Sequence, residues 1–275
     1  MATQGTVQRL RGIAARGFAA MASAALAAAP AEAANQDEIQ VYDNAIEKPG
    51  EFGLDLHLNA TPSGREFQFY PGEITNAHGV RVTPEFSYGI AKDLELGFYL
   101  DTQKDGDDTY YVAGTKYRLK WMPLQPDDNS GYFAGANIEY GIIVHRFSQS
   151  SETLELRLID GYRSENWLVA FNPIFDWNLS NGIASGDPDL TAALKVTYKI
   201  MDGVRAGVEY YGELGKITHF SAWEQQDQRI YAVVDFDLKP FELNFGIGAG
   251  LTRASDALTI KTIWSVPVEE IFKRQ

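Results

Sequence analysis

Along most of this chain every second residue is apolar, and that regularity restricts the fold more than anything else in the sequence. Residues 241–251, FELNFGIGAGL, show it most clearly. Phe241, Leu243, Phe245, Ile247, Ala249 and Leu251 alternate with Glu242, Asn244 and three glycines. A strand has a side-chain period of two, so this segment presents one apolar face and one polar or empty face. The pattern recurs from Phe52 to Val266. Leu54, Leu56 and Leu58 alternate with Asp55, His57 and Asn59. Tyr111, Ala113, Tyr117, Leu119 and Trp121 alternate with Gly114, Lys116, Arg118 and Lys120. About twelve such segments of about nine to twelve residues follow one another, a length that crosses a bilayer at a tilt. No helical period of comparable strength appears.

Alternation alone is compatible with two all-β folds. In a soluble periplasmic β-sandwich the apolar face lines the core; in an antiparallel transmembrane up-and-down β-barrel it meets lipid. Three features favour the barrel of about 12 strands. Mostly short links (AKD, PLQPDDNS, RSEN, MDG, KP) alternate with mostly longer polar ones (ATPSGREFQFYPGEITNAHG, KDGDD, SQS, SNGIASGDPD, ELGKITHFSAWEQQD), as short turns and long loops do in outer-membrane barrels. Aromatic residues fall at the two ends of the apolar faces. Tyr88, Trp121, Tyr132, Trp167, Tyr198, Phe241 and Trp264 belong to one end, and Tyr111, Tyr140, Phe175, Trp177 and Tyr210 to the other, with Ala113, Ala136 and Val169 between. Finally, Arg9, Arg11 and Arg16 precede an apolar run and the small-x-small site Ala31-Glu32-Ala33, the pattern of a secretory signal peptide. The expected organisation is a signal peptide (1–33), a polar N-terminal periplasmic arm (34–51), the barrel (52–267) and a C-terminal tail (268–275).

The run Val82 to Leu100, VTPEFSYGIAKDLELGFYL, carries Tyr88-Gly89-Ile90 and then Leu94-Glu95-Leu96-Gly97. This resembles the YGI-x-x-x-LE-x-G hairpin of proteobacterial outer-membrane barrels, among them the family of transporters named for the MetA pathway of phenol degradation. The preceding stretch DEIQVYDNAIEKPGEFGLDLHLN is similar to an uncharacterised subgroup of that set. The resemblance is motif-like only over Gln40 to Leu100. It implies an outer-membrane barrel that passes small solutes, apolar or aromatic ones among them, and implies no catalytic residues. The chain departs from such proteins at its end, where Phe272 stops short of the terminal position at which assembly machinery reads an aromatic residue.

Charge and residue usage narrow the function. A net charge of −13 argues against nucleic acid as a partner. With no cysteine there is no disulfide, thiolate metal site or thiol nucleophile. His57, His78, His145 and His219 are scattered without ligand spacing, so neither metal nor cofactor is expected. GIGAG at 246–250 lies inside a strand, so its glycines are expected to make room for larger side chains opposite rather than to cradle a phosphate. The expected partners are outer-membrane lipid and lipopolysaccharide, the barrel-assembly machinery and a small-molecule solute.

The lumen face supplies the main candidate site. Lys116, Arg118 and Lys120 form a basic ladder, with Glu95 and Glu139 on neighbouring strands and Arg81, Glu85, Arg205 and Glu209 further round. Opposite charges on adjacent strands can pair across a lumen and line a selective constriction, or simply solvate it. A second candidate is His219-Phe220-Ser221. Outer-membrane lipid hydrolases look similar here, since residues i and i+2 share a strand face and an imidazole can take a hydroxyl proton. The acidic run Asp101 to Asp108 lacks the spacing of a calcium loop and reads as a solvated hairpin. The expected function is therefore a channel or transporter. A rim lipid hydrolase and a closed structural barrel remain as alternatives.

Overall fold

The computed structural model describes residues 38–127, 130–180 and 186–268. The leader and the Phe272 tail lie outside them. Twelve long antiparallel strands close into one barrel, which replaces the sandwich alternative. They are β1 (Phe52–Ser63), β2 (Val80–Ala91), β3 (Leu94–Lys104), β4 (Tyr110–Leu124), β5 (Gly131–Ile143) and β6 (Glu152–Arg163). β7 (Trp167–Asn178), β8 (Asp189–Met201), β9 (Val204–Lys216), β11 (Asp227–Leu238), β12 (Phe241–Gly250) and β13 (Leu258–Pro267) complete it. The two-residue β10 (His219–Phe220) extends the β9 loop. Each strand pairs with its sequence neighbours, and β1 pairs with β13 from Gly53↔Pro267 to Ser63↔Leu258. A sandwich would leave sheet edges; here the seam is hydrogen-bonded and no edge remains.

The faces follow the period of two. Leu119, Trp121, Phe171 and Ile247 are 40–54% exposed on the outside, whereas Lys116, Arg118, Lys120, Asn172 and Gly248 point inward and are buried. An apolar surface running right round a barrel is a lipid-facing surface, because in water a patch of that extent would drive aggregation. Aromatic pairs mark the short-turn end: Phe52–Tyr88 at 4.4 Å, Tyr132–Tyr162 at 5.0 Å and Trp167–Tyr198 at 4.8 Å. At the β2–β3 turn Asp93 adopts φ 61°, a left-handed conformation that Asp tolerates better than most residues. Gly203 (φ 73°) supplies the same at the β8–β9 turn.

One assignment of faces is corrected. Asp101 pairs with Gly114 but the next residue, Thr102, pairs with Val112, so Ala113 is an extra residue in a β-bulge. A bulge reverses the parity of everything beyond it. Tyr110 (77% exposed) and Val112 (62%) therefore face outward, while Ala113 is buried within. Tyr111 leaves the aromatic girdle and its hydroxyl reaches Asp105 at 3.1 Å.

Loops meet at the long-loop end. Residues 64–79 fold there, held by Arg65 paired with Glu73 and stacked 3.8 Å over the Phe69 ring. The Arg65 backbone N–H donates to Asp256 on the β12–β13 loop at 2.9 Å, and that of Ile74 to the Arg146 carbonyl at 2.8 Å.

Candidate functional site: an arm inside a charged lumen

The lumen is not empty. Residues 38–51 run from its interior down to the short-turn end, where the Gly50 N–H donates to the Gly89 carbonyl at 2.7 Å just before β1 begins. The sequence marks this segment as an arm at the periplasmic side but not its place in the lumen, because it is short and carries no period; the one signal is the apolar pair Ile39 and Val41 with Tyr42 in otherwise polar surroundings. All three are buried, 2–4% exposed, against inward-facing apolar residues that include Met122, Phe133, Ile159 and Ile174. The lumen therefore has a partly apolar core, where the alternation had suggested only a polar lining.

Polar contacts fix the arm in register. Asn172 clasps the Tyr42 backbone: its Oδ1 accepts from the N–H at 2.6 Å and its Nδ2 donates to the carbonyl at 3.1 Å. Lys261 donates to the Ile39 carbonyl at 2.8 Å and Arg157 to that of Gln40 at 3.2 Å. Glu38 lies 3.8 Å from Lys116 and 3.6 Å from Arg157, and Asp43 lies 2.9 Å from Arg163. The Glu47 N–H donates to Glu95 at 2.6 Å. Burial alone would push the Asp43 carboxyl up, but the charges of Arg163 and Lys195 outweigh it and hold it below the usual range. Glu47 goes the other way, pushed up to about 7 by burial and then by the charges of Glu95, Asp55 and Glu51.

Tyr42 is the centre of the seat. Its hydroxyl lies 2.7 Å from that of Tyr99, accepts from Arg118 at 3.0 Å and donates to Glu139 at 3.3 Å. Its ring is ringed by cations: Arg157 at 4.3 Å, Lys120 at 4.6 Å and Arg118 at 5.6 Å from the centroid. Such contacts strengthen as water is excluded.

The barrel brings most of the candidate charges together. Arg118 is the hub, paired with both Glu85 and Glu95 and bonded to Tyr99 at 2.9 Å. Lys116 stands 3.7 Å from Glu139. Glu209 is paired with Lys261 and lies 3.6 Å from Lys195. Arg81 and Arg205 stand apart from this network. Arg81 bonds Asn76 at 3.2 Å at the long-loop end, and Arg205 donates to the carbonyls of Asn166 and Glu165 at the short-turn rim. Asp55, His57 and Glu85 present ligand atoms within 4.8 Å of one another, the one such group among the described residues. Glu85 is already engaged by Arg118 and by His57 at 3.0 Å, so the trio is explained as an ion-pair network.

At the short-turn end the arm divides the free space into cavities of about 430 Å³ and 300 Å³, with Gln40, Tyr42, Ala45 and Lys120 in the walls of both. The other candidates gain no such setting. His219 is exposed on β10, the Ser221 N–H donates to the Leu214 carbonyl at 2.9 Å, and among the described residues no hydrogen bond joins the two side chains. In the acidic hairpin Asp105 accepts from the N–H groups of Asp107 and Thr109 at 2.9 Å each, so the loop organises itself without an ion.

No protein-family model matches the chain, and no curated protein matches it in sequence. Its fold does have solved counterparts. The COG4313 outer membrane channel from Pseudomonas putida F1 is similar at a TM-score of 0.58 and 12% identity, over 83% of this chain and 99% of that one. The NanC porin is similar at a TM-score of 0.50 and 9% identity, over 78% of this chain and 97% of that one. At such identities the likeness shows a shared barrel fold.

Proposed function

We propose that this chain is an outer-membrane channel for a small solute, with the short-turn end in the periplasm, and that its lumen is occupied by its own N-terminal arm. The lipid-facing apolar belt, the aromatic girdles and the channel folds it resembles support the location. The observation that carries the function is the arm. An extended segment held by side-chain contacts from many strands, with cavities on both sides, is a removable occupant rather than part of the wall. A passive path opens when it leaves. The seat also suggests the solute: an aromatic ring entering after the arm departs would meet the cations that Tyr42 meets, together with the Tyr99 hydroxyl. Lys116, Arg118, Lys120, Glu95 and Glu139 line that path. Nothing in the geometry of His219 and Ser221 favours the hydrolase.

The test compares the full chain with a variant that keeps the leader but lacks residues 34–47. Both are expected in the outer-membrane fraction, migrating compactly unless boiled. In planar bilayers the shortened barrel conducts readily and the full chain mostly does not. A shortened barrel that folds but carries no current would establish a closed structural barrel instead. A chain found soluble in the periplasm would remove the membrane reading altogether.

A further inference from the structure

Around the inner end of the arm and on towards the long-loop end, acidic residues face one another across neighbouring strands. Glu139 on β5 pairs in register with Glu155 on β6, Glu155 with Asp176 on β7, and Asp176 with Asp189 on β8. On the next pair of strands Glu213 on β9 stands directly opposite Asp227 on β11. All six point into the lumen. Like charges directly opposite on adjacent strands oppose pairing, because their Cβ atoms lie only about 5 Å apart. Such a row persists where cations offset it.

The wall supplies cations to four of the six. Glu139 has Lys116 at 3.7 Å, Glu155 has Arg157 at 2.9 Å, Asp189 has Lys216 at 2.7 Å and Asp227 has Arg229 at 3.1 Å. Asp176 and Glu213 have no cationic side chain within 4.0 Å among the described residues. Glu213 is 4% exposed, and its Oε2 makes no hydrogen bond; neither does the hydroxyl of Thr191, which is equally buried. Thr191 and Glu213, together with the cations Lys116, Arg157 and Arg229, line the same small space of about 30 Å³, room for one water or one small ion. Around that space four carboxylates (Glu38, Glu155, Glu213 and Asp227) face three cations, and the Thr191 hydroxyl has no partner, so oxygen donors are in excess there.

We propose that this carboxylate row selects small inorganic cations, with Asp176 and Glu213 as the specificity-determining residues. Its sign is opposite to that of the Lys116–Arg118–Lys120 ladder, which meets it where Lys116 stands 3.7 Å from Glu139. The inference rests on the channel reading, since selection matters only where ions pass. Rings of Asp and Glu give cation preference by the same field effect.

The test uses the barrel lacking residues 34–47 and the same barrel with Asp176→Asn and Glu213→Gln, which remove charge and keep shape. Under a KCl gradient the first is expected to favour K⁺ over Cl⁻, and the ratio to fall by about threefold or more in the second. A parent without cation preference, or a ratio unchanged by the two substitutions, overturns the proposal. A second readout does not need current. Ca²⁺ is expected to raise the temperature at which the full chain loses its compact mobility more than tetramethylammonium at equal ionic strength, because only the smaller ion enters. That difference should vanish in the double variant. If neither barrel conducts, the channel reading fails while this comparison still judges the row; equal effects of the two cations on the full chain would overturn it.

Discussion

Replacing Tyr42 separates what its ring and its hydroxyl each contribute to holding the arm. In Tyr42→Phe the hydroxyl is lost, but Arg118 and Tyr99 keep their 2.9 Å bond and Arg118 keeps its two carboxylates. The loss is therefore that of one shared site with charged partners, about 1–2 kcal/mol. That is roughly a tenfold shift in the ratio of arm-out to arm-in. Tyr42→Ala also removes a ring that is 2% exposed, for about 3–5 kcal/mol in total, a shift of about a hundredfold to several thousandfold. The chain has no cysteine, so a single Val41→Cys gives a clean reporter. Val41 is 4% exposed in the seat, and maleimide reaches a thiol there only while the arm is out. The labelling rate should rise in the order parent, Tyr42→Phe, Tyr42→Ala, with about tenfold for the first step. Equal rates in the parent and Tyr42→Ala would show that the seat does not hold the arm. Equal rates in the two variants would show that the cation-ringed aromatic contributes nothing.

Two further outcomes are expected. A Cβ on Gly248 would clash with the ring of Tyr231, its partner on β11; Gly248→Ala should therefore lower the temperature of the mobility shift, by about 1–3 kcal/mol of stability, and should cost little when made in a Tyr231→Ala background, where the ring is gone. Glu47 titrates near 7 in the seat but in the ordinary carboxylate range when the arm is free. The seat thus takes up a proton, is firmest below that range and weakens as pH rises towards 7, so conductance should increase from pH 5 to pH 7.5 and lose that dependence in Glu47→Gln.

The residues differ in how far the sequence discloses them. Period two assigns Leu119, Trp121, Phe171 and Ile247 to the outside, because one face must be apolar throughout for lipid to accept it. It likewise marks Gly246 and Gly248 as room for larger side chains opposite, which the register shows to be Val233 and Tyr231. Ala113 escapes because a bulge leaves no mark in the alternation itself. The place of the arm escapes for a deeper reason. Ile39, Val41 and Tyr42 are ordinary residues in a short segment, and their seat is assembled from β4, β5, β6, β7 and β13, which only ring closure brings together. The carboxylate row behaves similarly: Glu155, Asp176 and Asp189 read as unrelated lumen residues until register sets them opposite one another.

The arm joins β1 through a short connection at the short-turn rim. Once released it cannot diffuse away, and a tether of this length holds its free end at an effective concentration on the order of millimolar. Any solute that uses Arg118, Lys120 and Arg157 competes with that standing supply of arm. A solute of equal intrinsic affinity keeps the lumen clear half the time only when its own concentration reaches the same level. The covalent link thereby sets a threshold: the barrel stays shut to traces and yields to abundance.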